Sequence, residues 1–457
     1  LATSRARLNI KGENLYNLQG MRHPDDAPSD DEILGCDAVQ LFLSGLERVR
    51  SDSQPTGSDL GHILQVCQQV EGMPLGILLA ASWCSSMTPG EIARETRRGL
   101  DFLSAEWSDL PARQRSVRAT FEYSWRLLNA QERSLFQGLS VFRGGFSRRA
   151  AREITNATPF DLRAQVDKSL LLSSSPGRYE MHELLRQFGR GKLAESPKAE
   201  HSTCQKHGAF FLQRLSRLGE ILKSARQEAA LAEIDLDHEN FHAAWHWVVR
   251  EGETPDLIDP LETLCLYYDL RWRSQEGAAS CRAGVEGLAQ FKDTAEGTRT
   301  RIRMLAWQCH FQHKLGDNQA AELMLDQSQQ QQELLGAEGF DTRLEQAFIL
   351  FERGDLNFNS ERNVAADYYE RSLEIYRDVG DAWEVARTLA SLGMVNHHMG
   401  TFERAARHWQ ECLEIHRSIG DPRGNADALV ELGMNLVRSG QYEEGEGYMK
   451  EGTAILQ

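Results

Sequence analysis

Long apolar runs are missing from this 457-residue chain. The longest mostly apolar stretch, Met73 to Cys84, has 12 residues, whereas a membrane-crossing helix needs about 20. It reads as a buried helix. Positive charge is also scarce: 51 Lys and Arg face 67 Asp and Glu, a formal net charge of −16. That excludes loose attachment along nucleic acid, which works by releasing counterions from phosphates, and adhesion to anionic membranes. Contact with DNA through one small element is not excluded. Eight cysteines are scattered with no CxxC pair, which fits reduced thiols in a cytoplasmic protein rather than a disulfide framework or a zinc site. No GxxxxGK[ST] loop and no Gly-x-Ser-x-Gly elbow occur, so neither ATP hydrolysis nor hydrolase chemistry is expected of this chain. No catalytic residue and no metal ligand is assigned.

What is present is mostly helix pattern, and the fold class expected is mainly α: a helical domain and a winged-helix domain followed by an α-solenoid of tetratricopeptide repeats. Residues 1–35 open on a strand end (Leu1-Ala2-Thr3) and run into an acidic loop, HPDDAPSDDE. The chain lacks an initiator Met and starts inside an apolar segment, which suggests a piece of a longer polypeptide. Ser29 and Glu32 form a capping-box pair predicted to open a helix over Cys36 to Arg50. A second helix comes at about 59–70, then GMPLGILLAASW, then Thr88-Pro89 with Glu91 three residues on, another box. Residues 36–108 are read as one small all-helical domain.

Residues 109–196 carry a different pattern. Asn129 and Glu132 cap a helix that FRGGF ends, and Thr158-Pro159 starts another running to about Leu170. SLLLSSSPGRYEM then supplies two short extended runs about a Ser-Pro-Gly turn, a hairpin signal. A helix over 182–194 closes a winged-helix domain. Residues 197–255 are a helical linker, and 256–457 a repeat array. The segment 380–417 realigns with residues 420–457 at a shift of 40: Ala386 meets Ala426, Leu392-Gly393-Met394 meets Leu432-Gly433-Met434, and Gly400 meets Gly440. One repeat earlier, Gly336 fits if four residues are inserted after it. Gly393, Gly433, Ala365 and Ala405 are small residues set against large ones such as Tyr369 and Trp409. A single hairpin of this kind cannot bury its apolar face, so stacking is obligatory. Leu392-Gly393 register the repeat and turn Arg387, Ala390, Met394 and His397 inward, with Asp427, Val430, Met434 and Val437 in the next. Arg387, Met394, His397, Asp427 and Met434 are therefore candidate partner-binding residues on the concave face. His238, His242 and His246 form one helical stripe next to Trp245 and Trp247 and read as packing residues, as do His310, His313, His397 and His398 as regards metal.

The order Thr3-Ser4-Arg5, Gly72-Met73-Pro74-Leu75, winged helix, Met181-His182-Glu183 and tetratricopeptide repeats resembles bacterial STAND-class signalling ATPases, the NB-ARC-like regulators. The likeness covers nearly the whole chain and lies in the order of the motifs rather than in any one of them. It implies that Arg5 reads the γ-phosphate, a task suited to a planar, permanently charged guanidinium. It implies that Pro74 packs on adenine and that His182 touches the β-phosphate of ADP, latching the winged helix. Glu183 stands where the family's motif has Asp. ATP or ADP with magnesium would bind the intact parent, a P-loop ATPase, and no cofactor is expected in this chain alone. An inducer (protein, peptide or small molecule) would bind the repeats, upstream nucleotide and effector domains would receive the signal, and the active form would be a homo-oligomer controlling transcription or defence. Two other readings stay open: a constitutive tetratricopeptide scaffold, and a regulator that contacts DNA through the winged helix.

Overall fold

The computed structural model describes residues 20–23, 29–49, 57–99, 102–104, 116–252, 257–289 and 294–456. Arg5 and most of residues 1–35 lie outside them. The chain divides into two compact units, one ending at His207 and one beginning at Gly208. That boundary falls inside a helix.

The first unit begins with α1 (Asp30–Leu34), α2 (Asp37–Val49), α3 (Gly57–Gln69), α4 (Pro74–Ser82) and α5 (Pro89–Arg98). The Ser29–Glu32 box forms, with the Ser29 N–H donating to Glu32 Oε2 at 3.0 Å. It caps the five-residue α1, however, and not the helix expected over Cys36 to Arg50. Gly35 ends α1, and the Ala38 N–H in the first turn of α2 donates to the Arg22 carbonyl at 3.5 Å, so the preceding extended segment sets where α2 starts. Helix α4 is apolar nearly all round and buries Gly76, Ile77, Leu79, Ala80 and Ala81, as a core helix should. It lies so close to α2 that a Cβ on Gly45 would stand 2.8 Å from Ala81 Cβ. The Thr88–Glu91 box opens α5, with the Thr88 N–H donating to Glu91 Oε2 at 2.9 Å.

Next come α6 (Val117–Arg126), α7 (Ala130–Leu139), β1 (Gly145–Ser147), α8 (Arg148–Thr155), α9 (Pro159–Asp167), β2 (Leu172–Ser175), β3 (Arg178–Glu180) and α10 (Glu183–Ala194). The Asn129–Glu132 and Thr158–Asp161 boxes cap α7 and α9. The expected hairpin is β2–β3. It gains a third strand, β1, which pairs antiparallel with β3 (Gly145 opposite Glu180) in the order β1-β3-β2. FRGGF is thus more than a helix breaker. Gly144, at φ +62°, turns the chain, and Phe146 is fully buried and stacks on Phe142 at 4.3 Å. Helix α9 stops at Asp167, short of Leu170, because Ser169 is left-handed at φ +57°. Phe121, Trp125, Phe136 and Phe188 form the aromatic centre, each buried ring contributing on the order of 2 kcal/mol.

The second unit is helical throughout its described residues. Helix α11 (Pro197–Leu222) leads into α12 (Gln227–Glu251), kinked at Asp237. Five antiparallel pairs come after it: α13 (Ile258–Leu270) with α14 (Ser274–Leu288), α15 (Ala295–Lys314) with α16 (Asn318–Ala337), α17 (Arg343–Asn357) with α18 (Arg362–Val379), α19 (Ala382–His398) with α20 (Phe402–Ile419), and α21 (Pro422–Arg438) with α22 (Tyr442–Leu456). The small-against-large pairing differs in one respect from the expectation. Ala365 and Ala405 share a helix with Tyr369 and Trp409. The space for those rings comes from Gly354 and Gly393 on the preceding helix, where a Cβ would stand 2.4 and 2.6 Å from ring atoms. Among the described residues no helix is long and apolar enough to cross a membrane.

Candidate functional site

In the first unit, Pro74 takes the first position of α4, where its missing N–H costs nothing. The turn before it is left-handed at both Glu71 (φ +46°) and Gly72 (φ +65°). Gly72 has no alternative there: its carbonyl accepts from the Met21 N–H at 2.9 Å, and a Cβ would lie 2.2 Å from the Met21 carbonyl oxygen. His182 is the N-cap of α10, with Nδ1 accepting from the Leu184 N–H at 3.2 Å. That leaves Nε2 to face Glu71 Oε2 at 3.4 Å, while Glu71 Oε1 accepts the Glu183 N–H at 2.8 Å. Burial holds the His182 pKa below its ordinary value, against the pull of Glu71 and Glu183. Burial would raise the Glu183 carboxyl, but its bonds from Arg186 (2.6 and 2.7 Å) and Gln187 (3.0 Å) hold it low. Pro74 and His182 are thus joined through Glu71, and the chain at Met21 packs on the same turn. The first-turn amides of α10 favour an anion, and Glu71 supplies one.

In the second unit, Arg387 and Asp427 line one cleft of about 200 Å³ with Trp383, Trp409, Arg423 and Glu431. The Arg387 side chain is 19% exposed, lies 2.9 Å from Glu384 Oε2 through Nε, and sits 4.0 Å above the Phe351 ring. The indole nitrogens of Trp383 and Trp409 are buried without a hydrogen-bond partner among the described residues. Burial and the neighbouring Asp427 raise the Glu431 carboxyl. The cleft is thus lined by arginine side chains as well as by the neighbouring acids Asp427 and Glu431. The other three candidates lie elsewhere. Met394 packs against Trp409 and Leu432, Met434 is 40% exposed, and His397 bonds Asn435 Oδ1 through Nδ1 at 3.0 Å.

The inner helices are tied together by polar side chains about one repeat apart. Arg303 Nε meets Glu262 at 2.7 Å and Arg299 meets Glu345 at 3.0 Å. His310 lies between Asp269 (Nε2 to Oδ1, 2.8 Å) and Glu352 (Nδ1 to Oε1, 3.2 Å). Burial alone would lower the His310 pKa, but the two carboxylates outweigh it and push it up to about 10. Burial and the charge of Glu352 push Asp355 up to about 6.

The segment His238-Glu239-Asn240-Phe241-His242 also spells His-Glu-x-x-His, which reading it as a histidine stripe overlooks. Such a motif binds zinc when both imidazoles converge with a third ligand. Here His242 and His246 face each other through Nε2 at 3.0 Å, and His238 packs on Tyr267 and Tyr268 with its Nε2 3.7 Å from Glu276. Among the described residues, the group whose ligand atoms converge is another one: His310, Glu352 and Asp355.

Glu71, Trp383 and the Asp269–His310–Glu352 line escape a reading of the sequence alone. The last has a usable signal: Asp269, His310 and Glu352 recur at 41 and 42 residues, close to the repeat length, and such positions on stacked inner helices face one another.

A tetratricopeptide repeat model matches residues 384–457. Over 400 residues the chain is 25% identical to a Mycobacterium tuberculosis protein provisionally described as an HTH-type transcriptional regulator, covering 85% of this chain and 43% of that protein. The regulatory protein AfsR of Streptomyces coelicolor is 31% identical over 233 residues, 48% of this chain and 20% of AfsR. A Signal Transduction ATPase with Numerous Domains (STAND) protein with a tetratricopeptide repeat sensor, from Pyrococcus horikoshii, aligns at a TM-score of 0.43 and 17% identity over 96% of this chain and 76% of that one. The chain spans less than half the length of these curated relatives. It is a mainly α protein with tetratricopeptide repeats, similar in sequence to regulatory proteins.

Proposed function

We propose that this chain is the regulatory and ligand-sensing part of a nucleotide-dependent switch, with residues 36–108 as a helical domain, 109–196 as a winged helix and the repeats as sensor. One observation carries the reading: Glu71 ties the Gly72-Met73-Pro74-Leu75 turn to His182 and the start of α10. Two segments that separately suit the same ligand are neighbours. Pro74 and His182 would hold ADP, whose phosphates supply the negative charge that the α10 amides attract. The neutral Nε2–H of His182 suits a donor to a phosphate oxygen, and Glu71, which takes that place in this structure, would have to turn aside. Arg5, outside the described residues, would read the γ-phosphate of ATP. The phosphate loop and magnesium ligands would belong to a domain outside this chain, and opening would permit self-assembly and release of an effector in the cytoplasm. An inducer bound in the Arg387–Asp427 cleft would act only through unequal affinity for the closed and open forms.

The test joins this chain to the polypeptide encoded upstream and follows ADP through gel filtration. Retention by the wild type and its loss in His182→Ala supports the latch; equal retention rejects it. A second reading, DNA contact through residues 109–196, is favoured by the description of the mycobacterial relative as HTH-type. Salt-dependent binding of the chain to duplex DNA would establish it. Absence of a phosphate loop upstream would leave the constitutive scaffold.

A further inference from the structure

We infer that the inner face of the repeats holds a divalent first-row transition ion between His310 Nδ1 and one carboxylate oxygen each of Glu352 and Asp355. The site is independent of the nucleotide switch. Glu352 and Asp355 are three residues apart on α17 and so share a face, while His310 comes from α15 on the neighbouring inner helix. Their ligand atoms all lie within 4.8 Å of one another. A second, independent observation points to a cation. Glu352 is 1% exposed, and its Oε2 is buried with no hydrogen-bond donor among the described residues. A buried carboxylate oxygen without a donor is costly, and a metal ion is the partner that would satisfy it.

The surroundings match what a ligating histidine requires. His310 Nε2 lies 2.8 Å from Asp269 Oδ1, so Asp269 fixes the ring orientation and leaves Nδ1 toward the carboxylates, the arrangement in which an outer carboxylate supports a metal-bound imidazole. Lys314 in turn pairs with Asp269, and Tyr369 donates to Asp355 Oδ1, leaving Asp355 its second oxygen. Asp355 is also the one member of the three that is not fully buried. One nitrogen and two carboxylate oxygens, with no sulfur among them, suit zinc or manganese rather than a thiolate-bound metal. A ligating imidazole nitrogen carries no proton, so binding requires Nδ1 in its unprotonated form.

The full chain, stripped with chelator, would be titrated with zinc against a chromophoric indicator and its zinc form studied by X-ray absorption. Expected are one tightly bound equivalent and a first shell of nitrogen and oxygen at about 2.0–2.1 Å. Glu352→Gln and Asp355→Asn each abolish that equivalent, Asp269→Asn weakens it by about 10- to 100-fold, and His242→Asn leaves it intact. Sulfur scattering at about 2.3 Å, loss of zinc in His242→Asn, or no stoichiometric binding by the wild-type chain would each overturn the assignment. The spectrum is read on the wild type, so a variant that fails to fold does not shield the proposal.

Discussion

The Glu71 carboxylate closes the amino end of α10, accepting the Glu183 N–H at 2.8 Å and standing 3.4 Å from His182 Nε2. A residue 111 positions upstream of His182 in the sequence thus does the work of a local cap. Carboxylates at helix N-termini contribute about 0.5–2 kcal/mol. In Glu71→Ala, hydrogen exchange at the first-turn amides of α10 should rise by roughly 2- to 30-fold, the same energy expressed as a ratio. Unchanged protection would mean that the contact contributes nothing.

Gly393 offers a direct test of repeat packing. An added Cβ would stand 2.6–2.8 Å from three atoms of the Trp409 indole, and that ring is fully buried. Gly393→Ala should destabilise the second unit by about 1–3 kcal/mol, even after the gain of up to about 1 kcal/mol in helix propensity. At Gly447 an added Cβ meets nothing within 4 Å, so Gly447→Ala should be neutral or slightly stabilising. Urea unfolding of the two variants checks both signs.

The paired imidazoles of α12 predict a pH dependence. Burial, then the charge of His246, lowers the His242 pKa to about 4, against about 6.5 in an unfolded chain. The unfolded state therefore binds the proton first as pH falls. The neutral pair's stability is intact above about pH 6.5, declines between about 6.5 and 4, and is fully lost below 4. The drop in melting temperature from pH 7 to 4.5 should be smaller in His242→Asn than in the wild type.

Thiol reactivity should be sharply uneven. Cys36 is half-buried, and the other seven of the eight cysteines are buried. Burial pushes Cys67 and Cys412 up to about 12, and the thiolate is the reactive form. Ellman's reagent should titrate one thiol quickly in the native chain, mapped to Cys36 by peptide mass spectrometry, and all eight in denaturant.

What was legible in the sequence was local or periodic. Thr88–Glu91 and Asn129–Glu132 could be read as caps because both partners of each bond lie within one turn. The shift of 40 residues set Arg387 and Asp427 at matching positions, and both line one cleft. The strand at Gly145–Ser147 could not be read, since three residues carry no periodicity and its partner, β3, lies more than 30 residues on. The role of Glu71 depends on two helices meeting in space. The bond of His397 to Asn435 needs the neighbouring helix in place before it can be seen. The succession Asp269, His310, Glu352 shows in the sequence only as spacings of 41 and 42, near the repeat of 40, and its contacts need the helices stacked.

The unlike side chains at matching repeat positions, Arg387 and Asp427, also bear on how the gene can change. Repeat arrays lengthen by unequal recombination, which copies one unit in frame beside its parent. Copying residues 380–419 here would place a second arginine next to Arg387 at the position Asp427 now holds, setting like charges together along one cleft. The copied arginine would arrive with a copy of Glu384, its ion-pair partner, and would displace Asp427 from the cleft. An added unit would thus change the charge of the cleft while leaving the alternation of small and large residues intact.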